Sequence, residues 1–453
     1  MPTGFRLPGC LLAATVLALS GCRHADPPRP NIVLIVIDTQ RKDHLGCYGN
    51  PRPVSRAIDS LAADSIRYDN AFSQAPWTTP SVGSLLTSRY PWELGIRGEP
   101  DRIGDEQVLL AEVLRQNGYH TGAAISHFFL SRKWNFDQGF DYFDERWIQG
   151  HAGVCSHGVS NQALHFLRSW AAAREGGSDD HEPFFLFLHY FDPHYNYISH
   201  ERFPFAEELT YDGPITSGMR HEELFEMTAE LSDADRDYLL ALYDSEVAYT
   251  DFHIGRVLGY LRHNRLYDDS LIILTADHGE EFLDHGQLGH SKTVFNELTN
   301  VPLLMKYPNQ VEGLVARDYI GLIDLMPTLL SYLQIPAPGP MSGVARSVRP
   351  DGAKGPVFSE TSRLDADQVS VVRDGYKLIW DRKADRLALF DLRTDPGERE
   401  DLAADRADVV TQMKSLFWLW KAGSGTGDGG TPDAVEITEE ERRALESLGY
   451  LRD

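Results

Sequence analysis

Basic residues and cysteines are both scarce in this chain of 453 residues. It carries 43 Lys and Arg against 67 Asp and Glu, so its formal net charge is −24. This balance argues against a nucleic-acid partner, because binding to a phosphate backbone needs clustered Lys and Arg. Only four cysteines are present, and the wide separation of Cys47 and Cys155 matches no metal-ligand spacing. These two thiols are compatible with one disulfide or with two free side chains.

The N-terminus also lacks an apolar run long enough to cross a bilayer, which takes roughly 20 residues. Arg6 precedes the short apolar stretch 11–19, and Leu19-Ser20-Gly21-Cys22 follows it. This order is typical of a secretory signal peptide. The last four residues resemble the bacterial lipobox, which implies cleavage before Cys22 and a lipid on its thiol. A plain signal peptide with an incidental cysteine is the alternative.

We therefore predict a lipoprotein signal over residues 1–21 and a proline-rich tether over 22–30. The mature protein is expected outside the cytoplasm, anchored to a bacterial membrane through Cys22. It would face the periplasm or lie at the outer membrane. Arg23, rather than Asp, follows the lipidated cysteine, which in a Gram-negative cell favours the outer membrane.

The order of apolar patterns along the rest of the chain indicates its fold class. Uninterrupted apolar runs, typical of buried parallel strands, occupy residues 32–37, 184–189 and 271–276. Helical periodicity alternates with such strands at residues 56–65, 80–87, 108–117 and 235–264. This alternation predicts a doubly wound α/β domain, with a mostly parallel central sheet and helices on both faces, over residues 31–345. Short strands at hairpin spacing predict a smaller antiparallel α+β subdomain, ending in a helix, over 346–453.

Polar side chains with metal-binding chemistry follow two of the predicted strands. Asp38 ends the first run, and Asp277-His278 ends the run at 271–276. Ligands of open α/β sheets bind beyond the carboxyl ends of the strands. Thr78 lies just before a predicted helix, where free N–H groups favour an anion. An isolated Asp-His pair would be weak evidence, but its place at a strand end predicts a divalent metal beside the Thr78 hydroxyl.

Motifs along most of residues 31–453 occur in the order found in one family. They include Asp38-Thr39-x-Arg41-x-Asp43-x-Leu45-Gly46-x-Tyr48-Gly49, Pro80-Ser81 with Leu85-Leu86-Thr87-Ser88, Asp277-His278-Gly279-Glu280-Glu281-Phe282, Val301-Pro302-Leu303-Leu304 and Arg373-Asp374-Gly375-Tyr376-Lys377. Together they resemble the sulfatases, members of the alkaline phosphatase superfamily. The resemblance implies the fold of that superfamily and an enzyme that hydrolyses an ester bond.

The chain departs from the sulfatase pattern at positions that carry the chemistry. Family sulfatases have Cys, less often Ser, two residues before the motif proline and convert it to formylglycine. Thr78 occupies that position here, and a β-branched alcohol cannot mature to the aldehyde. The second Asp of the opening pair is Thr39, and the expected Arg is Val82. The Lys-x-His that grips sulfate is missing apart from a partial match at His127, and an expected Lys is His290.

These departures resemble the phosphoesterase branches of the superfamily, which use unmodified Ser or Thr and often two metals. The resemblance implies one or two divalent ions, Zn²⁺, Mn²⁺ or Ca²⁺. The predicted ligands of the first ion are Asp38, Thr78, Asp277 and His278, and those of the second are Asp192, His194 and His290. Because one-metal relatives exist, the number of ions stays open.

Roles for the remaining candidates follow from the same resemblance. Thr78 would be the nucleophile. His285 would assist the leaving group or be structural, and Lys292 would bind the substrate anion or be simply solvated. His127 is a further candidate for substrate binding.

The predicted function is metal-dependent hydrolysis of phosphate monoesters or diesters, with a small-molecule, lipid or glycan ester as substrate. A sulfuric ester hydrolase without formylglycine is the first alternative. A phosphoglycerol- or phosphoethanolamine-type transferase is the second, although such relatives usually carry several membrane spans. A degenerate binding protein is the third. The pocket walls are expected in loops 127–160 and 195–235, which contain no recognisable substrate code.

Overall fold

The computed structural model of the chain describes Met1, residues 29–98, 100–149, 153–175 and 182–423, and the isolated positions 439 and 442. The predicted signal peptide, Cys22, most of the tether and most of the predicted terminal helix lie outside these residues. Within them, no helix has the length and apolar character needed to cross a membrane. Cys47 and Cys155 are both free thiols.

The strands are β1 (Ile32–Ile37), β2 (Ile66–Phe72), β3 (His120–Ile125), β4 (Tyr142–Asp144), β5 (Phe184–Tyr190), β6 (Leu271–Ala276), β7 (Glu281–Phe282), β8 (Leu288–Gly289), β9 (Asn300–Val301), β10 (Leu303–Lys306), β11 (Leu314–Gly321), β12 (Val357–Thr361), β13 (Gln368–Arg373), β14 (Tyr376–Asp381) and β15 (Arg386–Asp391). The helices are α1 (Arg56–Ala62), α2 (Thr78–Thr87), α3 (Pro91–Leu94), α4 (Leu110–Gln116), α5 (Ser156–Glu175), α6 (His221–Glu226), α7 (Asp233–His263), α8 (Asn296–Thr299), α9 (Leu325–Tyr332) and α10 (Ala407–Gly423).

The large sheet has the strand order β11-β2-β10-β6-β1-β5-β3-β4, and β9 pairs with β2. β1 lies between β5 and β6 and runs parallel to both, with Ile37 level with Tyr190 and Ala276. The residues that follow these three strands therefore emerge at the same edge of the sheet. β10 is antiparallel to β6 and β2, so the sheet is mixed but mostly parallel.

Alternate residues of β1 enter two different cores. Ile32, Leu34 and Val36 pack on one face with residues of α2, α4 and α9. The intervening side chains, Val33, Ile35 and Ile37, pack on the other face with residues of α1, α5 and α7. Because both faces are covered, the whole strand is apolar, and each buried aliphatic side chain contributes roughly 1.5–3 kcal/mol. The predicted doubly wound α/β fold is confirmed.

The small C-terminal sheet is an antiparallel array in the order β12-β13-β14-β15. Its apolar face packs with α10 and with Tyr90 and Ile323 of the α/β domain. The ring of Phe358 stacks on that of Trp420 with the centroids 4.8 Å apart. The expected antiparallel sheet with a supporting helix is thus present and docked on the larger sheet.

Two helices differ from the sequence expectations. α2 begins at Thr78 itself instead of just after it, so the predicted nucleophile is the first helical residue. α5 extends over Ser156–Glu175 in a region where the sequence indicated no element. The second difference changes the role of a predicted metal ligand.

Candidate active site

The carboxyl ends of β1 and β6 and the first turn of α2 bring four side chains together. Nε2 of His278 lies 3.6 Å from Oδ1 of Asp38 and 3.7 Å from Oδ2 of Asp277. The Thr78 hydroxyl oxygen lies 3.5 Å from the same nitrogen. The ligand atoms of Asp38, Asp277 and His278 all lie within 4.8 Å of one another, which is close enough for one coordination sphere. The four predicted ligands of the first ion therefore converge.

The turn after β1 is held in an unusual backbone conformation. Thr39 has a φ of 50°, in the left-handed region that β-branched residues rarely adopt. Its amide donates a hydrogen bond of 3.3 Å to Oδ1 of Asp277, and its carbonyl accepts one of 2.7 Å from the Tyr243 hydroxyl. Strain of this type costs on the order of 1–3 kcal/mol and persists only where the surroundings enforce it. Here it links the ends of the two site strands.

The first turn of α2 is suited to an anion. Its N-cap residue, Trp77, is extended and contributes no side-chain capping hydrogen bond. Backbone N–H groups at such an end lack intrahelical acceptors and carry the positive end of the helix dipole. The Ser81 hydroxyl donates a 2.5 Å hydrogen bond to the Asp277 carbonyl, which fixes the helix against the end of β6. An anionic group beside Thr78 would therefore meet oriented donors.

The carboxylates of this site are buried and have few hydrogen-bond partners. Both oxygens of Asp38 and Oδ2 of Asp277 have no hydrogen-bond partner among the described residues. Burial raises the pKa of Asp38 well above its usual value, and the nearby charges of Asp277 and Glu280 raise it further. Burial also acts against the charge of Asp277, but His278 and His189 lower its pKa. Orphaned buried carboxylates are costly, and a divalent cation is the partner that this donor set fits.

His278 is held in the protonation state that a metal ligand requires. Its Nδ1 lies 2.9 Å from the Gly279 carbonyl oxygen, which only accepts hydrogen bonds, so this nitrogen carries the proton. Nε2 consequently presents its lone pair to Asp38 and Thr78. Burial lowers the pKa of His278, which keeps the ring neutral. A backbone acceptor on the distal nitrogen is the usual arrangement for ligating imidazoles.

His194 and His290 lie next to this group, and Nδ1 of each ring faces an oxygen atom, as Nδ1 of His278 does. Nδ1 of His194 lies 3.1 Å from the Tyr195 carbonyl oxygen. Nδ1 of His290 lies 2.8 Å from Oε1 of Glu280, and as donor to that carboxylate it keeps its lone pair on Nε2. The ring of His290 is 4.5 Å from that of His278 and 4.9 Å from that of His194, centroid to centroid. These imidazoles could hold a second ion beside the first.

Asp192, predicted as a ligand of the second ion, is placed differently. Its carboxylate accepts hydrogen bonds from the Ser156 amide at 2.8 Å, the Ser156 hydroxyl at 2.6 Å and the Cys155 amide at 3.0 Å. It thereby satisfies donors at the N-terminus of α5, where a carboxylate is favourable. Because the sequence analysis did not anticipate α5, it could not anticipate this competing role.

His127 lies beside Asp38 with the opposite tautomer. Its Nδ1 accepts a 3.1 Å hydrogen bond from the Phe129 amide, so in the neutral ring Nε2 carries the proton. That N–H faces Oδ2 of Asp38 at 3.7 Å. Asp38, His127 and His194 are close enough to share an ion, but His127 is arranged as a donor and not as a ligand. This geometry favours the predicted substrate-binding role.

Comparison with known proteins decides the family. The Sulfatase family model matches residues 30–335. The chain belongs to the sulfatase family. Residues 284–420 also match the C-terminal family model described as N-sulphoglucosamine sulphohydrolase. Members of the sulfatase family are ester hydrolases, so the chain is placed among enzymes acting on ester bonds.

Relatives and solved structures extend this result over nearly the whole chain. An Escherichia coli (strain K12) protein named uncharacterized sulfatase YidJ is 26% identical over 441 residues, covering 85% of this chain and 86% of the relative. An N-acetylglucosamine-6-O-sulfatase of Bacteroides thetaiotaomicron is 22% identical, covering 96% of this chain and 94% of the relative.

Two solved structures share the fold at low sequence identity. The phosphonate monoester hydrolase of Agrobacterium radiobacter superimposes with a TM-score of 0.67 at 20% identity, covering 91% of this chain and 99% of that one. A protein solved with its substrate D-glucosamine-2-N,6-O-disulfate gives a TM-score of 0.69 at 18% identity, covering 90% and 100%. The sulfatase fold thus spans both sheets of the present structure.

His189 is a residue of the candidate site in this sulfatase-family protein that the sequence analysis missed. It belongs to β5, is fully buried, and places Nε2 3.7 Å from Oδ2 of Asp277. Neither ring nitrogen has a hydrogen-bond partner among the described residues. A single imidazole inside the apolar run Phe184–Tyr190 was the available signal. Its position allows it to orient the Asp277 carboxylate.

His285 makes structural contacts, and Lys292 is exposed. Nδ1 of His285 lies 2.7 Å from Oε1 of Glu297, and Nε2 lies 3.1 Å from the Glu398 carbonyl oxygen. Burial opposes the charged form, but these hydrogen bonds raise the pKa of His285. Both ring nitrogens are thus engaged in joining the two sheets, which favours the structural alternative. The Lys292 side chain is exposed, as the solvated alternative requires.

Proposed function

We propose that this sulfatase-family protein is a metal-dependent hydrolase of phosphate esters with Thr78 as its nucleophile. The observation that carries the proposal is the position of the Thr78 hydroxyl. It lies 3.5 Å from Nε2 of His278, beside carboxylates that lack partners among the described residues, at the start of a helix. These features supply a nucleophile, cation ligands and anion donors within one small volume.

A divalent cation of the Zn²⁺, Mn²⁺ or Ca²⁺ type, held by Asp38, Asp277 and His278, would neutralise phosphoryl charge and acidify the Thr78 hydroxyl. The backbone amides at the start of α2 donate hydrogen bonds to one phosphoryl oxygen, and Nε2–H of His127 donates a hydrogen bond to another. The bond from Thr78 Oγ1 to phosphorus forms as the bond to the alcohol oxygen breaks. The Thr78 hydroxyl proton passes to solvent, and the alcohol leaves with a proton taken from solvent. Water then attacks the phosphothreonine, adding its hydroxyl to phosphorus and returning a proton to Thr78.

Two departures from the formylglycine pattern support phosphate over sulfate. Thr78 cannot become an aldehyde, and His290 replaces a fixed cation with an imidazole, a side chain of the type that ligates metal ions. Two neighbouring ions would suit a phosphate dianion better than a sulfate monoanion. Fold similarity to a phosphonate monoester hydrolase is compatible with this choice. The names of the relatives favour the second candidate, sulfuric ester hydrolysis by the same threonine.

We also propose that the protein lies outside the cytoplasm and carries a lipid on Cys22. Its support is the sequence order of Arg6, the apolar stretch 11–19 and Leu19-Ser20-Gly21-Cys22. Such an anchor would present the site to phosphorylated small molecules, lipids or glycans near a membrane. Loss of palmitate labelling in a Cys22→Ala variant would support it, and unchanged labelling would refute it.

The decisive experiment compares matched aryl esters with the metal-reconstituted protein. We expect turnover of an aryl phosphate monoester or diester above that of the aryl sulfate, and a loss of at least ~10³-fold in Thr78→Ala. Thr79→Val is the matched control, because it removes the neighbouring buried hydroxyl. Sulfate turnover equal to or above phosphate turnover would reject the phosphate assignment. Product that requires an added alcohol acceptor would indicate a transferase, and metal binding without any turnover a binding protein.

A further inference from the structure

We propose that Arg363, from the C-terminal subdomain, binds the anionic oxygens of the ester at Thr78. It would supply the fixed cation that position 290 lacks. This inference rests on the proposed function, since it concerns the substrate of the same site. Arg363 follows β12 by two residues and was not among the residues singled out in the sequence.

The guanidinium group lies between two segments of the site. Its central carbon is 4.7 Å from the centroid of the Trp77 ring, and Trp77 directly precedes the nucleophile. Its Nη1 donates a 3.2 Å hydrogen bond to the hydroxyl of Ser291, which directly follows His290. The cation therefore borders both the nucleophile turn and the loop of the candidate second ion.

The backbone that carries Arg363 is fixed to the same segments. The Thr361 hydroxyl donates a 2.6 Å hydrogen bond to the Ser291 carbonyl, and the Ser291 amide donates one of 3.0 Å to the Pro76 carbonyl. The Glu360 amide donates a 2.9 Å hydrogen bond to the Gln74 carbonyl. An arginine on a strand end held in this way is positioned before substrate arrives, which reduces the entropy lost on binding.

The side chain of Arg363 has the chemistry that an anionic ester needs. A planar guanidinium can donate two parallel hydrogen bonds to a phosphate.

Space for the rest of the ester adjoins this arginine. Trp77, Thr361 and Ser362 line a cavity of about 730 Å³ between the α/β domain and the C-terminal sheet. Trp92 and Arg97 also line this cavity. A substrate with its phosphate on Arg363 and Thr78 could place its alcohol portion in this cavity.

The test measures anion binding separately from turnover. Metal-loaded Arg363→Ala is expected to bind inorganic phosphate about 10- to 100-fold more weakly than the parent, with KM raised more than kcat is lowered. Arg363→Lys should recover part of the loss. Arg393→Ala is the matched control, because Arg393 belongs to the same subdomain but pairs with Asp391 on the surface. Metal content, measured in each variant, shows whether the site has remained folded.

Failure of this inference can be told apart from failure of the proposed function. Unchanged phosphate binding by Arg363→Ala with full metal content would overturn the role of Arg363, whatever the parent hydrolyses. If the parent hydrolyses only sulfate esters, the phosphate assignment fails. The same titration with inorganic sulfate then tests Arg363. Thr78→Ala should lose turnover but retain anion binding.

Discussion

Two clusters of histidine and carboxylate side chains in this protein have similar composition but differ in whether their polar atoms have hydrogen-bond partners. Asp38, Asp277 and His278 form one, and Glu281, His285 and Glu297 form the other. In the second, the ring nitrogens of His285 are engaged by Glu297 and Glu398, and Glu281 accepts hydrogen bonds from the His285 and Gln287 amides. In the first, both oxygens of Asp38 and Oδ2 of Asp277 have no hydrogen-bond partner among the described residues. Unmet hydrogen-bonding capacity, more than proximity, marks the cluster suited to a cation.

The largest effect is expected when one carboxylate in each cluster is neutralised, which tests whether only the first cluster binds a cation. Asp277→Asn should remove the bound metal and lower turnover by at least ~10³-fold, because one ligand and the partner of His278 are lost together. Glu297→Gln should leave metal content and turnover unchanged and cost about 1–2 kcal/mol of unfolding free energy. Elemental analysis, ester turnover and urea unfolding provide the readouts. Equal loss of metal in the two variants would refute the distinction.

A second comparison separates ligand from donor among the imidazoles. His290→Ala should reduce the metal stoichiometry if a second ion is held, because its Nε2 lone pair is lost. His127→Ala should retain the full metal content and lower turnover about 10- to 100-fold, since it removes only a hydrogen-bond donor. Elemental analysis beside kcat/KM measures both effects. Metal loss in His127→Ala would show that its tautomer is assigned wrongly.

The smallest expected effect is the pH dependence of metal affinity. In the metal-free protein, burial and the charges of Asp277 and Glu280 raise the pKa of Asp38, so this carboxyl keeps its proton to higher pH. Metal binding needs the carboxylate, so affinity should fall as pH decreases, by up to about tenfold per pH unit below that pKa. Calorimetry in buffers of different ionisation enthalpy should detect a released proton, which Asp38→Asn abolishes. Affinity independent of pH in the parent would contradict this expectation.

The residues that converge at the candidate site of the first ion were predictable because each lies in a local pattern. Asp38 and Asp277-His278 end uninterrupted apolar runs, and parallel strands bring such ends to one edge of the sheet. Thr78 begins a helix with proline in its first turn, a signal contained in a few neighbouring residues.

The positions whose surroundings sequence reasoning did not anticipate, or that it missed, depend on distant parts of the chain. Asp192 follows a strand as the other ligands do, but the start of α5 competes for its carboxylate. Arg363 reaches the site only because a separate sheet docks beside Trp77. The difference between His127 and His278 depends on whether a backbone amide or a carbonyl contacts Nδ1, which no spacing of residue types reveals.

The edge strand β12 has a consequence for how this enzyme can be divided. The Ser359 hydroxyl donates a 2.6 Å hydrogen bond to the Ser73 carbonyl, so the C-terminal sheet supports the loop that leads to Thr78. A chain cut after residue 345 would keep the candidate acidic and imidazole ligands but lose this hydrogen bond. Such a fragment should therefore bind metal ions but hydrolyse esters slowly, because the Thr78 hydroxyl would no longer be held in position. We therefore expect turnover to need both sheets.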